Sequence, residues 1–432
     1  MQSAASRPAG RHPDRPDPWS LARRIGFRFA FLYLFLYGLP GLVSDLPLVS
    51  WLGEKYQALW TPFVEWVGSA LLRIDMPPRS QNGSGDQLYF YVEVASLVLV
   101  SALGAVAWSI AQRRRADHRD LAELLRIFLR YFLALTMFVY GMAKILKSQF
   151  PEPSPGRLLI PLGEMSPMGV LWTFMGLSTP YTVLVGLVEV AGGALLLFRR
   201  TTALGALVLI GALGNVVALN YCYDVPVKLF STHLFMISCI LLAPDLRRLV
   251  DVLVRNRASR PAELGAPPVP LSWRRGLPIA KGLVIAAMIT HAGWDAFASY
   301  REYGDGAEKS PLHGAYRVLA MEKAGVPIAP TDPGAWRQIA IDRANVVVVT
   351  ADGRTTRFTA KHDPTRRVLE LTPRGAPTRI GQLAASTAGT QLRLEGILAG
   401  EAVSVRLERL TERDFLLLGR GFHWVSEAPF NR

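Results

Sequence analysis

The sequence predicts a membrane α-helical bundle of about seven transmembrane helices, followed by a small, mainly β extramembrane domain. Three observations carry this. Half of the 432 residues are hydrophobic and only 19% are charged, with a positive mean hydropathy of +0.23, more apolar than soluble chains usually are. The apolar residues form runs of roughly twenty, the length that crosses about 30 Å of hydrocarbon at 1.5 Å per residue. After residue 300 the pattern changes to short alternating segments punctuated by turn signals.

The expected spans are 26–48, 88–112, 126–147, 181–198, 203–222, 226–245 and 277–298. They divide the chain into a basic tail (1–24), two helices with an outer amphipathic loop (25–125), a four-helix bundle (126–250), a linker and seventh helix (251–300) and the β domain (301–432). The start, with "RPAGRHPDRPDP", is polar and Pro-rich, and the run after it is too long for the core of a signal peptide, so the first helix reads as an uncleaved anchor.

The formal net charge is +14, but the basic residues collect at span ends rather than along one amphipathic face or in a reading motif. That excludes nucleic acid as the partner and points to membrane lipids. Arg23 and Arg24, Arg113 to Arg115, Arg199 and Arg200, and Arg247, Arg248, Arg274 and Arg275 can all face the cytoplasm at once. Seven spans then place the N-terminus inside and the C-terminal domain outside, periplasmic in a bacterial inner membrane. Cys222 and Cys239 are the only cysteines, at different depths or on different helices, and make neither a disulfide framework nor a zinc pattern.

The first outer loop, 49–87, spaces Trp51, Trp60 and Trp66 like an interfacial amphipathic helix. The second, 148–180, has Pro and Gly breaks between apolar patches, as a folded-back outer cap or as ordinary surface packing would. Beyond it, 301–335 reads as mixed and loop-rich, and "RQIAIDRANVVVVTADGRTTRFTA", "RRVLELTP", "TQLRLEGIL", "AVSVRLERL" and "FLLLGRGFHWV" read as antiparallel strands of a sandwich or partial barrel. In the tail, Phe422, Trp424 and Phe430 are expected to pack the β domain from a final strand.

Inside the spans lies a polar layer. Asn215 and His233 are each nine residues from Asp224, hence about 13 Å deep, and Glu189 and Tyr140 reach a similar depth from the same side. Glu93 and His291 come within one or two turns of it. Ionisable groups in hydrocarbon cost several kcal/mol unless paired or hydrated, so they face a bundle interior or a cavity. Glu189 and His233 are therefore candidate catalytic, proton-handling groups, and Tyr140, Lys144, Asn215 and Asn220 are candidates for holding a ligand head group. Four of them also have a plain reading: Asn215, Asn220 and His233 as interhelical ties worth about 1 kcal/mol, Lys144 as a snorkelling cation. Gly192, Gly193, Gly205, Gly211 and Gly214 would let backbones approach closely.

The stretches "YFLALTMFVYGMAKIL", "GLVEVAGGALLLFRRTTALGALVLIGALGNVV" and "HLFMISCILLAPDLRRL" resemble the DoxX-like family of small bacterial membrane proteins, over residues 126–250. The resemblance implies a four-helix bundle with a Gly-x-x-Lys helix end, matched by Gly141 and Lys144, and an acidic residue before a Gly-rich turn, matched by Glu189. Some members are named as subunits of a thiosulfate:quinone oxidoreductase, which makes a quinone the implied cofactor. The three extra spans and the β domain depart from the short family pattern.

There is no P-loop, no dinucleotide fingerprint after a strand, no HExxH, no nucleophile elbow and no CxxCH. Two function classes stay open. One is a quinone- or lipid-interacting oxidoreductase component; the other is a non-enzymatic envelope protein whose β domain docks a periplasmic partner. Transport ranks below both, because the polar layer lies on one side only and no inverted repeat is evident.

Overall fold

The computed structural model describes residues 18–44, 50–80, 82–259, 261 and 276–431. Its helices are α1 (Leu21–Ser44), α2 (Ser50–Trp66), α3 (Leu88–Ala111), α4 (Arg119–Ile145), α5 (Pro155–Leu158), α6 (Pro167–Leu177), α7 (Thr179–Leu196), α8 (Thr202–Cys222), α9 (Lys228–Leu242), α10 (Leu246–Leu253), α11 (Leu277–Glu302) and α12 (Leu416–Gly419). The strands are β1 (Gly314–Lys323), β2 (Val326–Pro327), β3 (Trp336–Ile341), β4 (Asn345–Thr350), β5 (Thr355–Asp363), β6 (Val368–Pro373), β7 (Gly381–Ala388), β8 (Gln391–Leu398) and β9 (Glu401–Arg409). The chain is thus a helical membrane part followed by a β domain. It forms two compact units, Met1–Val139 with Val188–Gly293, and Tyr140–Leu187 with Trp294–Arg432, which cut across the expected 126–250 bundle.

Among the described residues six helical stretches are long and apolar enough to cross a membrane: Leu21–Val43, Leu88–Ala111, Thr179–Leu196, Thr202–Cys222, Lys228–Leu253 and Leu277–Glu302. The other expected span is α4, 27 residues long. Its residues 132–138 are all buried, so the middle of α4 is surrounded by protein, and charges nearer its start are partnered. Arg126 pairs with Asp245 at 3.0 Å, and Arg130 Nε donates to the Leu196 carbonyl at 2.8 Å. The first span begins before residue 26 because the helix continues through Arg23 and Arg24; its expected end at 48 lies outside the described residues.

Within the first unit the basic clusters gather at one end. Arg24 donates to the carbonyls of Arg113 and Arg115, Arg199 pairs with Glu123 at 2.8 Å, and Lys281 donates to the Leu197 carbonyl at 2.6 Å. Arg28, 1% exposed, donates from each of its three side-chain nitrogens, to His118 Nε2, Ser109 Oγ and the Gln112 carbonyl. Arg274 and Arg275 lie outside the described residues. Gly192, Gly193 and Gly205 do mark close backbone approaches, a Cβ on Gly205 falling 2.9 Å from the Gly192 carbonyl; Gly211 meets nothing and Gly214 only the Phe235 ring.

The first outer loop folds as expected into a helix, α2, whose Val64, with Val67 just past its end, packs on Tyr89 and Val92 of α3 while Trp51 and Trp66 stay exposed. Its far end returns to the bundle. Asp86 accepts from the Lys228 and Leu229 backbone N–H groups and so caps α9, satisfying donors that a helix start leaves open.

In the second unit, strands β1 and β3–β9 form an antiparallel sheet that closes through β1–β9 pairing, with β2 as a short extension of β1. Closure removes the exposed edges that a sandwich would leave. Alternate residues fill the interior, among them Ile339, Ile341, Leu371, Leu383, Leu394 and Leu407. The run "NVVVVT" breaks the alternation for a reason: Val346 and Val348 point inward, and Val347 and Val349 pack outside against Leu159 of the 140–187 segment. Ala340 and Ala315 join that outer cluster.

Two expectations for this unit need correcting, and one strand, β7, was not expected. Residues 301–335 contain β1, whose "GAYRVLAMEK" shows only broken alternation because it bulges between Val318 and Ala320. β7, "GQLAASTA", is built of small residues that carry little hydropathy contrast. The tail makes no final strand: α12 and irregular chain replace it, and Phe422 and Trp424 are 77% and 92% exposed. The barrel is already closed by β1 and β9, so no edge remains for another strand.

Candidate functional site

The first unit's polar centre is built on α1, α8 and α9. Tyr33 and Tyr37 are four residues apart on α1 and so share a face. That face meets His233, a buried residue of α9. Tyr37 stacks on the imidazole, ring centroids 4.2 Å apart and planes 13° from parallel, and the Tyr33 hydroxyl lies 2.6 Å from Nε2.

His233 Nδ1 is 2.7 Å from the Leu229 carbonyl oxygen. A carbonyl only accepts, so Nδ1 carries a proton; with the imidazole neutral, Nε2 is the acceptor and Tyr33 O–H is the donor. The result is a neutral dyad with a fixed tautomer, in which the phenol oxygen keeps a lone pair for a ligand.

Asn220 is buried and donates through Nδ2 to Ser231 Oγ at 3.0 Å, joining α8 to α9. Asn215 is exposed on the same helix; five residues turn it about 140° from Asn220, so the two do not line one wall. Glu189 is buried on α7 in this unit, 2% exposed. Glu93 accepts from Trp60 Nε1 at 3.0 Å, tying the loop helix to α3. His291 is partly buried on α11.

Tyr140 and Lys144 belong to the second unit. Tyr140 is exposed and Lys144 buried, with its ammonium 5.7 Å from the centre of the Tyr140 ring. Burial corrects the snorkelling reading of Lys144. One turn on, Lys147 is a hub that the sequence did not single out. Its Nζ donates to the Gly176 carbonyl at 3.1 Å and Thr179 Oγ1 at 2.9 Å, and stands 3.4 Å from Asp305. Asp342 is a second such hub, accepting from Ser154 Oγ at 2.9 Å and the Gly156 N–H at 3.2 Å. Burial pushes the Asp342 carboxyl above its ordinary range and the neighbouring His313 imidazole below its own.

Tyr33 and Tyr37 are the site residues that sequence reasoning missed. Their signal was the four-residue spacing of tyrosines in "FLYLFLYG", which a run alternating aromatics with leucine conceals. Among the described residues no three His, Cys, Asp or Glu side chains converge as metal ligands.

No family model matches the chain, and no solved structure matches it. A similar protein is the Uncharacterized protein YwoB of Bacillus subtilis (strain 168), 38% identical over 123 residues that make up 28% of this chain and 78% of that protein. The chain belongs to the family of YwoB. The kinship fixes descent for that portion and leaves the chemistry to the site. There, a neutral imidazole–phenol pair under an aromatic lid can orient a hydroxyl or carbonyl head group and pass one proton.

Proposed function

We propose that this YwoB relative is a DoxX-like membrane protein whose first unit binds the polar head of an amphiphile, a quinone or quinol foremost, as a component of a membrane oxidoreductase. The observation that carries the reading is the Tyr33–His233 dyad with Tyr37 stacked on it. Three groups from two helices thereby form a polar surface inside apolar spans.

Tyr33 would hold a quinol hydroxyl at its phenol oxygen, and the phenol would relay a proton received there to His233 Nε2. The imidazolium so formed keeps its Nδ1–H on the Leu229 carbonyl. Glu189, a buried carboxyl in the same unit, is the second proton-handling group. Asn220 has its amide donor committed to Ser231, which favours positioning of α8 against α9 over ligand contact. The basic end of the unit faces the cytoplasm of a bacterial inner membrane in this reading, and the β-barrel faces outward.

The test is mass spectrometry, with an ultraviolet spectrum, of small molecules extracted from gently purified protein. A stoichiometric quinone in the wild type, lost in His233→Leu and Glu189→Gln, supports the reading. Bulk phospholipid alone in all three sinks it.

A further inference from the structure

The second unit contains a cavity of about 550 Å³ between residues 157–177 and the segment that follows the barrel, within the roughly 300–1,000 Å³ range of small-molecule sites. Its walls are apolar: Leu158, Ile160, Val170 and Phe174 on one side, Phe415 and Leu417 on the other. Thr173 also lines it, but its hydroxyl is spent on the Gly169 carbonyl at 2.8 Å.

Two charged groups reach the cavity, Arg157 and Asp414, and they differ in availability. The Asp414 carboxylate accepts from the Thr411 N–H and hydroxyl at 2.8 and 2.9 Å and lies 3.8 Å from Arg317. Among the described residues the Arg157 guanidinium makes no hydrogen bond or ion pair, and it rests beside Gly169, where a Cβ would fall 2.8 Å from Nη1. The site therefore offers one cation with no hydrogen bond or ion pair on an apolar cavity, its charge felt by Asp342 behind it.

Chain continuity locates this cavity. Wall helix α6 ends at Leu177, and the spanning helix α7 starts at Thr179, so this wall lies within a turn of the membrane boundary. Leu162, Phe174, Leu416 and Leu417 expose 71, 57, 56 and 54% of their surface there, an apolar rim that water disfavours and a bilayer accepts.

We propose that this cavity takes the acyl chain of a bilayer phospholipid, with the lipid phosphate on Arg157. The apolar walls match the chain, and the guanidinium, with its donors open, matches the phosphate in charge and in fork geometry. The proposal rests on residues other than Tyr33, Tyr37 and His233 and stands or falls apart from the quinone reading.

The experiment uses the full chain in phosphatidylcholine liposomes doped with phosphatidylglycerol carrying a photoactivatable diazirine on its acyl chain. A parallel set carries the same acyl chain on diacylglycerol, which has no phosphate. Adducts are mapped by mass spectrometry, with the exposed residues Leu103, Val106 and Ile110 of α3 as the bulk-lipid reference.

Adducts are expected to concentrate in residues 158–177 and 415–417. Thr173→Trp, which fills the cavity, is expected to lower them about tenfold, the effect of about 1.4 kcal/mol, while the α3 adducts hold; Leu417→Trp repeats the block from the opposite wall. Arg157→Gln is expected to lower labelling by phosphatidylglycerol and not by diacylglycerol. Labelling no denser than on α3, or unmoved by both Trp variants, overturns the site. Equal losses for both lipids in Arg157→Gln overturn the phosphate assignment.

Discussion

The dyad of the first unit and the hubs of the second bury polar groups in opposite ways. In the first, the His233–Tyr33 pair is neutral as built, and its members come from two helices with one lone pair left over. In the second, the hubs are Lys147 and Asp342, whose partners lie up to 188 residues away in sequence. A neutral pair can exchange a proton with a ligand and return. A charged hub that stitches distant segments cannot let go without opening the structure, so it reads as architecture.

The largest effect expected from this contrast is at Lys147. Replacing it with Met leaves Asp305 with only the Glu152 N–H and strips two further acceptors of their donor, and the second unit should lose about 3 kcal/mol, the range for removing one partner of a buried pair. Earlier proteolysis within residues 148–178 during heating would show it; wild-type resistance would mean that the hub is idle. Gly156→Ala follows, at about 2 kcal/mol for overpacking, because the new Cβ would lie 2.6 Å from Asp342 Oδ2 and 2.9 Å from Val347 Cγ2.

A smaller effect separates the two asparagines of the first unit. Asn220→Ala should cost about 0.6–1 kcal/mol, as interhelical bonds in membranes do, and Asn215→Ala close to nothing. Reversed costs in detergent unfolding would contradict the assigned faces.

The smallest effect is a pH slope in the second unit. Burial holds the His313 pKa below its ordinary 6.5, so the unfolded chain takes up a proton that the folded unit refuses. Stability should fall as pH drops through that value. Asp342 has the opposite sign: its raised carboxyl costs stability as pH climbs out of the carboxylate range. In thermal unfolding between neutral pH and about pH 5, His313→Gln should flatten the acid-side loss.

How far the sequence could be read follows from the same contrast. Span length and charge at span ends are one-dimensional, so the helical part, the β domain and the burial of Glu189, His233 and Asn220 were all legible. Face is angular: Asn215 and Asn220 have similar polarity, and only the helix turn separates them. Partners distant in sequence were not legible at all. Nothing near Asp86 announces that it caps α9, 142 residues on, and nothing near Gly156 announces the carboxylate of Asp342. The tail misled because alternating aromatics look like a strand even when the sheet has no edge to receive one.

The central claim is that Tyr33 and His233 act as one unit on a ligand head group. Its most direct test is a double-mutant cycle on binding of a short-chain benzoquinone to the full chain in nanodiscs, by calorimetry, with Tyr33→Phe, His233→Leu and both together. The account predicts that each single change weakens binding and that the double change adds little to the larger single loss. Wild-type affinity in either single variant, or two losses that simply sum, would contradict it.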